Sequence, residues 1–427
     1  MRRLLIFAYF YPPLAGGGVH RVLSFTRHLP AHGWACTVVC AGERDFWVTD
    51  DSLVAAVPDD TEVIRVRGGS GLSTWLRLRR DDAEGRRSVR VFAPLRKIVD
   101  WCLFPDSYLG WAQRARATVR ARIAKGDIDA MLSSSPPDSV HLAAADVARQ
   151  TGVPWVADFR DPWVGLSFRT PPTRWHAAKH RAMESSVLSG ASLVMAASRT
   201  HADALAARAE ARPRAVLHLP NGFEPSPPVV ARPRRDRFRV VFTGSLTLMD
   251  DVGTLIDAVT ALLARDPSAR EVLRVELLGP YDREWEARAN ERGLKGLVRF
   301  GGVRAHAEAR LAQQRADLLL LWRPHGKGYR TMVPGKLYEY LAAGRPVLAL
   351  LPEDDEAAGL VRRAGGEVIA PGAADALERV LAARLVHWRA DGRTPDEVPD
   401  WLAGHTREHL AGELARALEG VVPGARA

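Results

Sequence analysis

Lys336 and Glu339 stand three residues apart in the stretch Pro334-Gly335-Lys336-Leu337-Tyr338-Glu339-Tyr340. On a helix that spacing puts both on one face. Pro334-Gly335 breaks the chain, and a loop feeding a helix N-terminus presents unpaired N–H groups and a positive dipole end to an anion. A cation for phosphate with a carboxylate for ribose hydroxyls, on one face, is an arrangement that reads a nucleotide. The alternative is an ordinary helix-strand unit with a surface Lys and Glu.

A second cluster is Asp158-Phe159-Arg160-Asp161, at the end of the apolar run from Trp155. Two carboxylates flank a guanidinium where a buried strand should stop. Asp158 or Asp161 could orient sugar or acceptor hydroxyls, and Arg160 could neutralise phosphate; structural ion pairing is the competing reading. Gly16-Gly17-Gly18 follows the first apolar run and precedes a helical pattern, so backbone can approach an anion there. It is no dinucleotide fingerprint, because the third glycine would fall at Arg21. Gly335-Lys336 is no Walker A loop, since Arg330 and Leu337 stand where Gly and Ser/Thr are required. Asp127-Ile128-Asp129 has a metal-binding Asp-x-Asp spacing but precedes a strand instead of ending one. His20 and His141 read as helix-start contacts. With no His-Glu-x-x-His and no paired cysteine site, a metal-independent centre is expected.

These residues need a scaffold. Apolar runs at Leu4–Tyr9, Ala35–Cys40, Glu62–Val66, Ala130–Ser134, Trp155–Phe159, Leu193–Ala197 and Ala215–Leu219 alternate with helical patterns at Val19–Leu29, Val140–Thr151 and Arg199–Glu210. Such alternation predicts a parallel sheet covered on both faces. Glu224 to Arg237 holds four prolines and four arginines and reads as a linker. Alternation then restarts through strands Arg239–Thr243, Leu273–Leu278, Val298–Phe300, Leu318–Leu321 and Val347–Leu351. Gly344 is placed to cap the helix that starts at Gly335. Ala373 to Leu418 is largely helical, with Trp388 and Trp401 available to pack on the other domain. The expected domains are 1–223, a linker at 224–237, 238–400, and a C-terminal helical segment, 401–427, packing back on the first domain. A cleft between the carboxyl ends of the two sheets is where ligands bind in such folds.

The chain has 427 residues, 47% hydrophobic and 26% charged, which suits a globular protein of two domains. Its net charge of +10 is localised: Arg65 to Lys125 holds 15 Lys/Arg against 5 Asp/Glu. This zone overlaps an insertion at about 68–110, where alternation breaks down and Arg mixes with Trp, Leu and Val. Peripheral contact with a membrane or an anionic acceptor is expected there, with core packing of the tryptophans as the alternative. Nucleic acid is not expected as a partner. Three cysteines, Cys36, Cys40 and Cys102, fit a reducing cytosol. Met1-Arg2-Arg3 and the apolar run after it resemble a signal peptide, but Pro12-Pro13 and the glycines follow at once, so a first strand is expected. No apolar run is long enough to span a bilayer.

The glycine-rich loop, Pro220-Asn221-Gly222, Phe242-Thr243-Gly244-Ser245 and the Pro334–Tyr340 stretch with Ala343-Gly344-Arg345-Pro346-Val347 together resemble GT-B glycosyltransferases of family 4, the group 1 type. The resemblance covers nearly the whole chain. It implies an α/β GT-B fold of two Rossmann-like domains and retaining transfer from a UDP-, GDP- or similar sugar donor without a metal. The donor is implied to sit mostly on the C-terminal domain, with a lipid-linked, polysaccharide or small-molecule acceptor on the N-terminal one. By motif, Glu339 matches the second glutamate of the family's Glu-x7-Glu signature, which binds the donor ribose; the first falls at Thr331. Ser245 and Asp250 stand where the family has two diphosphate-binding cations. Lys336, with Arg323 or Lys327, is then expected to supply the phosphate charge, and Arg160 lies near the family's sugar-contacting His. Gly16, Gly17, Gly18, Asn221, Gly244, Ser245, Pro334 and Gly335 complete the expected donor site, with Asp158, Arg160, Asp161 and Lys336 as the catalytic set. The protein is expected in the cytoplasm, peripheral on the inner face of the membrane. The other readings are a catalytically silent GT-B partner subunit and a nucleotide-sugar epimerase or sugar phosphorylase.

Overall fold

The structure, a computed structural model, describes residues 1–42, 49–68, 101, 104–166, 171–208, 210–225, 236–246, 252–323, 329–391 and 397–422. Most of the basic insertion, most of the linker, Asp250 and Lys327 therefore lie outside the described residues. The chain forms two compact units, Met1–Asn221 with Arg407–Ala427, and Gly222–Thr406.

The first unit runs β1 (Arg2–Ala8), α1 (Gly17–His28), β2 (Trp34–Ala41), β3 (Glu62–Val66), α2 (Leu109–Ile123), β4 (Ala130–Ser135), α3 (Ser139–Thr151), β5 (Trp155–Phe159), α4 (Arg174–Gly190), β6 (Leu193–Ala196), α5 (Arg199–Ala206) and β7 (Val216–His218). Its seven strands pair in parallel in the order β3-β2-β1-β4-β5-β6-β7. The order reverses at β1/β4, so the loops after β1, β4 and β5 meet at one edge. β4 and β5 are buried along their whole length, as a sheet covered on both faces requires.

The second unit runs β8 (Phe238–Thr243), α6 (Val252–Arg265), α7 (Ala269–Val272), β9 (Leu273–Leu278), α8 (Arg283–Glu291), β10 (Val298–Gly302), α9 (His306–Arg315), β11 (Leu318–Trp322), α10 (Gly335–Ala342), β12 (Val347–Leu350), α11 (Glu356–Arg363), β13 (Glu367–Ile369) and α12 (Ala374–Asp391). Its six strands are also parallel, in the order β10-β9-β8-β11-β12-β13. The reversal at β8/β11 brings Thr243-Gly244 beside the segment leading to α10.

The remaining helix, α13 (Arg407–Val421), buries Leu410, Ala411, Leu414, Ala415 and Leu418 in the same core as Val19, Val22 and Phe25 of α1. Trp388 joins the core of its own unit with its ring 6.0 Å from Phe238, and the Trp401 ring lies under Arg363 at 4.4 Å. Four helices and a strand went unread in the sequence: α2, α4, the four-residue α7, α11 and β13. In α2 the inward positions between Trp111 and Val119 are alanines; in α4 two of the four buried residues are His176 and Glu184. Neither gives the apolar stripe that marks a helix. No described helix is long and apolar enough to cross a membrane.

Candidate functional site

In the second unit the site begins at two strand-end glycines. Gly244 (φ 134°) follows β8 and Gly279 (φ 142°) follows β9, both in backbone conformations that favour glycine. Gly244 N–H donates to Leu278 O at 2.7 Å, and a Cβ on Gly279 would collide with Gly244 O. The two turns thus pack backbone on backbone. Lys336, in the first turn of α10, reaches over: a Cβ on Gly244 would stand 3.0 Å from Nζ. Lys336 Nζ lies 3.7 Å from the Phe242 ring centroid. Phe242 in turn stacks on Trp322 with centroids 4.2 Å apart and planes 9° apart. Both rings are buried, so an ammonium rests on an apolar shelf, where its charge is poorly screened. Pro334 caps α10 with no side-chain hydrogen bond to its amides.

One turn along, Glu339 meets α9. His306 Nε2–H donates to Glu339 Oε1 at 3.0 Å, and Gln313 Nε2–H reaches Oε2 at 3.5 Å. Gln313 also donates to Thr243 Oγ1 at 3.0 Å, while Thr243 N–H donates to Tyr340 Oη at 2.7 Å. Burial pushes the Tyr340 hydroxyl pKa up, keeping it a neutral partner. Gly244, Lys336, Glu339, Pro334 and Gly335 are thus brought to one edge of the sheet. Ser245 is exposed beside Gly244, and Asn221 ends the first unit half-buried. Thr331 sits in the short turn Tyr329–Thr331 that leads to α10.

Arg323 has another task than the phosphate contact expected of it. Its buried guanidinium donates to Tyr329 O, to Met332 O at 2.5 Å and to the Asp355 carboxylate, and burial lowers its pKa to about 10. Asp355 also caps α11 by accepting from Ala357 N–H at 2.9 Å. Arg323 therefore ties the turn before α10 to α11.

In the first unit Gly16 (φ 112°) precedes α1, and Gly17 and Gly18 form its first turn. Arg160, half-buried after β5, crosses β4 to reach them. Its Nε–H donates to Ser135 O at 2.9 Å and Nη2–H to Pro136 O at 2.8 Å, and its guanidinium lies 5.8 Å from the Phe10 ring. A Cβ on Gly18 would collide with Nη1. Cation and glycine turn are therefore one feature, suited to an anion. Asp161 follows on the surface side, half-buried.

Asp158 is a correction. Its carboxylate is fully buried and accepts from Arg21 Nη2 at 2.8 Å, Arg21 Nε at 3.0 Å and Ser134 Oγ at 2.8 Å. Arg21 spends its other amino group on Leu219 O (2.8 Å) and Pro220 O (3.0 Å). This buried pair joins α1, β5 and the exit from β7, and it cannot orient a substrate hydroxyl. His141 is buried as well, bonded through Nδ1 to Ser133 Oγ at 2.7 Å, with its pKa pulled down to about 3 by burial. Asp127 pairs with Arg122 and Arg3, and Asp129 accepts from Arg3 N–H at 2.7 Å, both at the strand-start edge. Among the described residues no group of three or more His, Cys, Asp or Glu side chains is placed to hold a metal. Sequence reasoning missed Phe242, Trp322, His306, Gln313 and Tyr340, whose distance along the chain from one another left no spacing to read.

Residues 237–385 match the model of the family described as glycosyl transferases group 1. The sequence matches none of the curated proteins. Among solved structures, the chain is similar to WaaG, a glycosyltransferase involved in lipopolysaccharide biosynthesis, at 18% identity and a TM-score of 0.61, over 97% of this chain and 100% of that one. It is similar to Anabaena HepE, solved in complex with UDP, at 15% identity and a TM-score of 0.62, over 98% and 100%. A glycosyltransferase from Rickettsia africae ESF-5 matches at 13% identity and a TM-score of 0.60, over 99% and 94%. The two parallel-sheet units have the GT-B fold.

Proposed function

We propose that this chain, whose residues 237–385 match the model of the glycosyl transferases group 1, moves a sugar from a nucleotide-sugar donor to an acceptor hydroxyl with retention of configuration and without a metal. The observation that carries this reading is Lys336 held beside Gly244 at the start of α10, with Glu339 one turn along. In such a transfer the bond from the sugar's anomeric carbon to the terminal phosphate breaks and a bond to the acceptor oxygen forms. The acceptor's proton passes to the departing phosphate. Negative charge grows on that phosphate, so stabilising it is the main electrostatic task. The Lys336 ammonium and the first amides of α10 do this, and Glu339 takes the ribose hydroxyls. The complex of HepE with UDP supports a UDP- or GDP-type donor. Gly16, Gly17, Gly18 and Arg160 offer a second edge suited to an anion.

A thermal-shift screen against UDP, GDP, dTDP, ADP and CMP with EDTA present tests the donor, because a ligand stabilises the fold it binds. A raised midpoint for one nucleotide supports the metal-free reading; no shift with any of them moves the weight to a silent partner subunit. That second reading draws on Thr331 and Ser245, which replace family residues.

Peripheral membrane contact on the cytoplasmic face belongs to the same proposal. Its support among the described residues is an aromatic patch: Trp101 and Trp175 are 53% and 59% exposed, and Phe104 lies 6.2 Å from Trp175. Lys179 Nζ is 5.6 Å from the Trp175 ring. Exposed Trp beside Lys suits an anionic lipid interface. Flotation with anionic vesicles at low salt should carry the protein upward, and protein left wholly in solution rules the contact out.

A further inference from the structure

α9 has a second face, turned away from Glu339. Glu308, Leu311 and Arg315 of that face stand over β8, β9 and β10, and a cavity of about 360 Å³ lies between helix and sheet. Small-molecule pockets run from about 300 to 1,000 Å³. The sheet is finished differently here than at its centre. β11 is buried along its whole length, whereas β9 alternates buried with half-buried residues and β10 leaves Arg299 exposed. The open face carries Glu276 on β9, in register with Val241 on β8 and with Arg299 on β10. Arg239 stands one same-face position earlier on β8, and Arg304 follows β10 at the other end of the groove. Among the described residues no ion pair ties Arg239, Arg299 or Arg304 to a carboxylate. Four guanidiniums thus line the cavity against two carboxylates, Glu276 and Glu308, a surplus of two positive charges. A sheet face meant only to be covered by a helix would carry apolar residues in these places.

We propose that this groove is a binding site for a phosphorylated polyol, a small hydroxylated molecule bearing a phosphate monoester. Such a phosphate carries about 1.5 to 2 negative charges near neutral pH, which matches the surplus. Guanidinium forks bind it through paired N–H donors. Glu276 and Glu308 then accept from the hydroxyls, while Val241, 1% exposed, and Leu311, 38% exposed, take the carbon skeleton. An acidic peptide fits less well, because its carboxylates bring only acceptors to meet these two glutamates. The groove is separate from the edge where Lys336 lies. Arg239 comes five residues before Gly244, about 16 Å along an extended strand. Arg315 belongs to the same strand-start end, where Asp317 N–H donates to Arg239 O at 2.8 Å. The proposal goes beyond the nucleotide-sugar reading and does not depend on it.

The test is titration calorimetry on the full chain with ribose 5-phosphate, sorbitol 6-phosphate and glucose 6-phosphate, each beside its unphosphorylated form, and with inorganic phosphate. Wild type should bind at least one ester about tenfold or more tightly than both its parent polyol and inorganic phosphate. Arg239→Gln combined with Arg299→Gln should weaken that binding at least about 100-fold, roughly tenfold for each lost hydrogen bond to a charged group. Lys336→Ala should leave it unchanged. Arg299→Gln alone, at an exposed site, should cost about tenfold and carries the test if the double variant has a lowered thermal midpoint. No binding of any ester by wild type overturns the proposal. So does an ester bound no more tightly than inorganic phosphate, or wild-type affinity in a folded double variant. Binding lost with Lys336→Ala overturns it as well, by placing the ester at the donor edge. A hexaglutamate peptide bound more tightly than every ester assigns the groove to an acidic protein segment instead.

Discussion

Lys336 Nζ stands 3.7 Å over the ring of Phe242, and Phe242 is the second-last residue of β8, immediately before the Thr243-Gly244 turn. One aromatic ring therefore sets the height of the ammonium above the strand end where a diphosphate would lie. Lys336→Ala should lower turnover about 100-fold, the usual cost of removing one donor from a developing anion. The thermal midpoint should move little, because the side chain is half-buried in a first helical turn. Donor hydrolysis rates measure this, and a variant with full turnover removes Lys336 from the leaving-group role.

Gly18→Ala separates anion binding from stability in the first unit. The new methyl displaces the Arg160 guanidinium and its bonds to Ser135 O and Pro136 O. Alanine inside a helix gains about 1 kcal/mol over glycine, which offsets part of that loss. The thermal midpoint should thus fall modestly while kcat/KM falls at least about tenfold, by analogy with other displaced anion-binding groups. Wild-type kcat/KM in a folded Gly18→Ala protein would show that the Arg160 edge takes no part in the reaction.

Asp158→Ala should act on the fold. It strands the Arg21 guanidinium, 2% exposed, with no carboxylate. Breaking a buried pair by removing one partner costs about 3–5 kcal/mol. For a unit of this size that lowers the midpoint by roughly 10 °C. Calorimetric unfolding checks it, and a midpoint within a degree or two of wild type contradicts the structural assignment of Asp158.

Acid should weaken the first unit through its buried histidines. Burial pulls His141 down to about 3 and His201 down to about 4, from an ordinary value near 6.5. Below that ordinary value the unfolded chain takes up protons that the native chain refuses. Stability from these groups is therefore complete above about pH 6.5 and declines as pH falls toward 4, by about 1.4 kcal/mol per pH unit for each histidine. The nearby Asp158 raises the His141 value and Arg160 lowers it, and Arg208 lowers that of His201. Thermal midpoints measured from pH 7.5 to 5 should drop steadily below 6.5; a level profile refutes the mechanism.

What could be read from the sequence was local. The apolar runs Leu4–Ala8 and Leu318–Leu321 gave strands because a parallel sheet buried on both faces tolerates little else. Pro334-Gly335 marked the start of α10, and Gly344, at φ 65°, closed it because glycine enters that conformation without strain. Lys336 and Glu339 shared a face because helical period alone requires it. The polar faces of α4 and the alanine face of α2 hid their helices, since a hydrophobic stripe is the signal and those faces lack one.

What the tertiary structure decided was which of the legible residues face a ligand and which face each other. Asp158 and Arg160 are two residues apart on one strand end, yet one is sealed against Arg21, 137 positions away, and the other reaches Gly18. The strand order β1-β4-β5 makes both contacts, and no local spacing encodes strand order. Arg323 looked like a phosphate cation until the fold set Asp355 and two carbonyls around it. Glu339 acquired His306 and Gln313 only because β10 leads into α9 and α9 crosses back over β8 beside α10. Sequence fixes the side chains available to the chemistry; the crossing of chain-distant elements fixes their partners, because burial forces every charge to find a counterpart wherever the packing brings one.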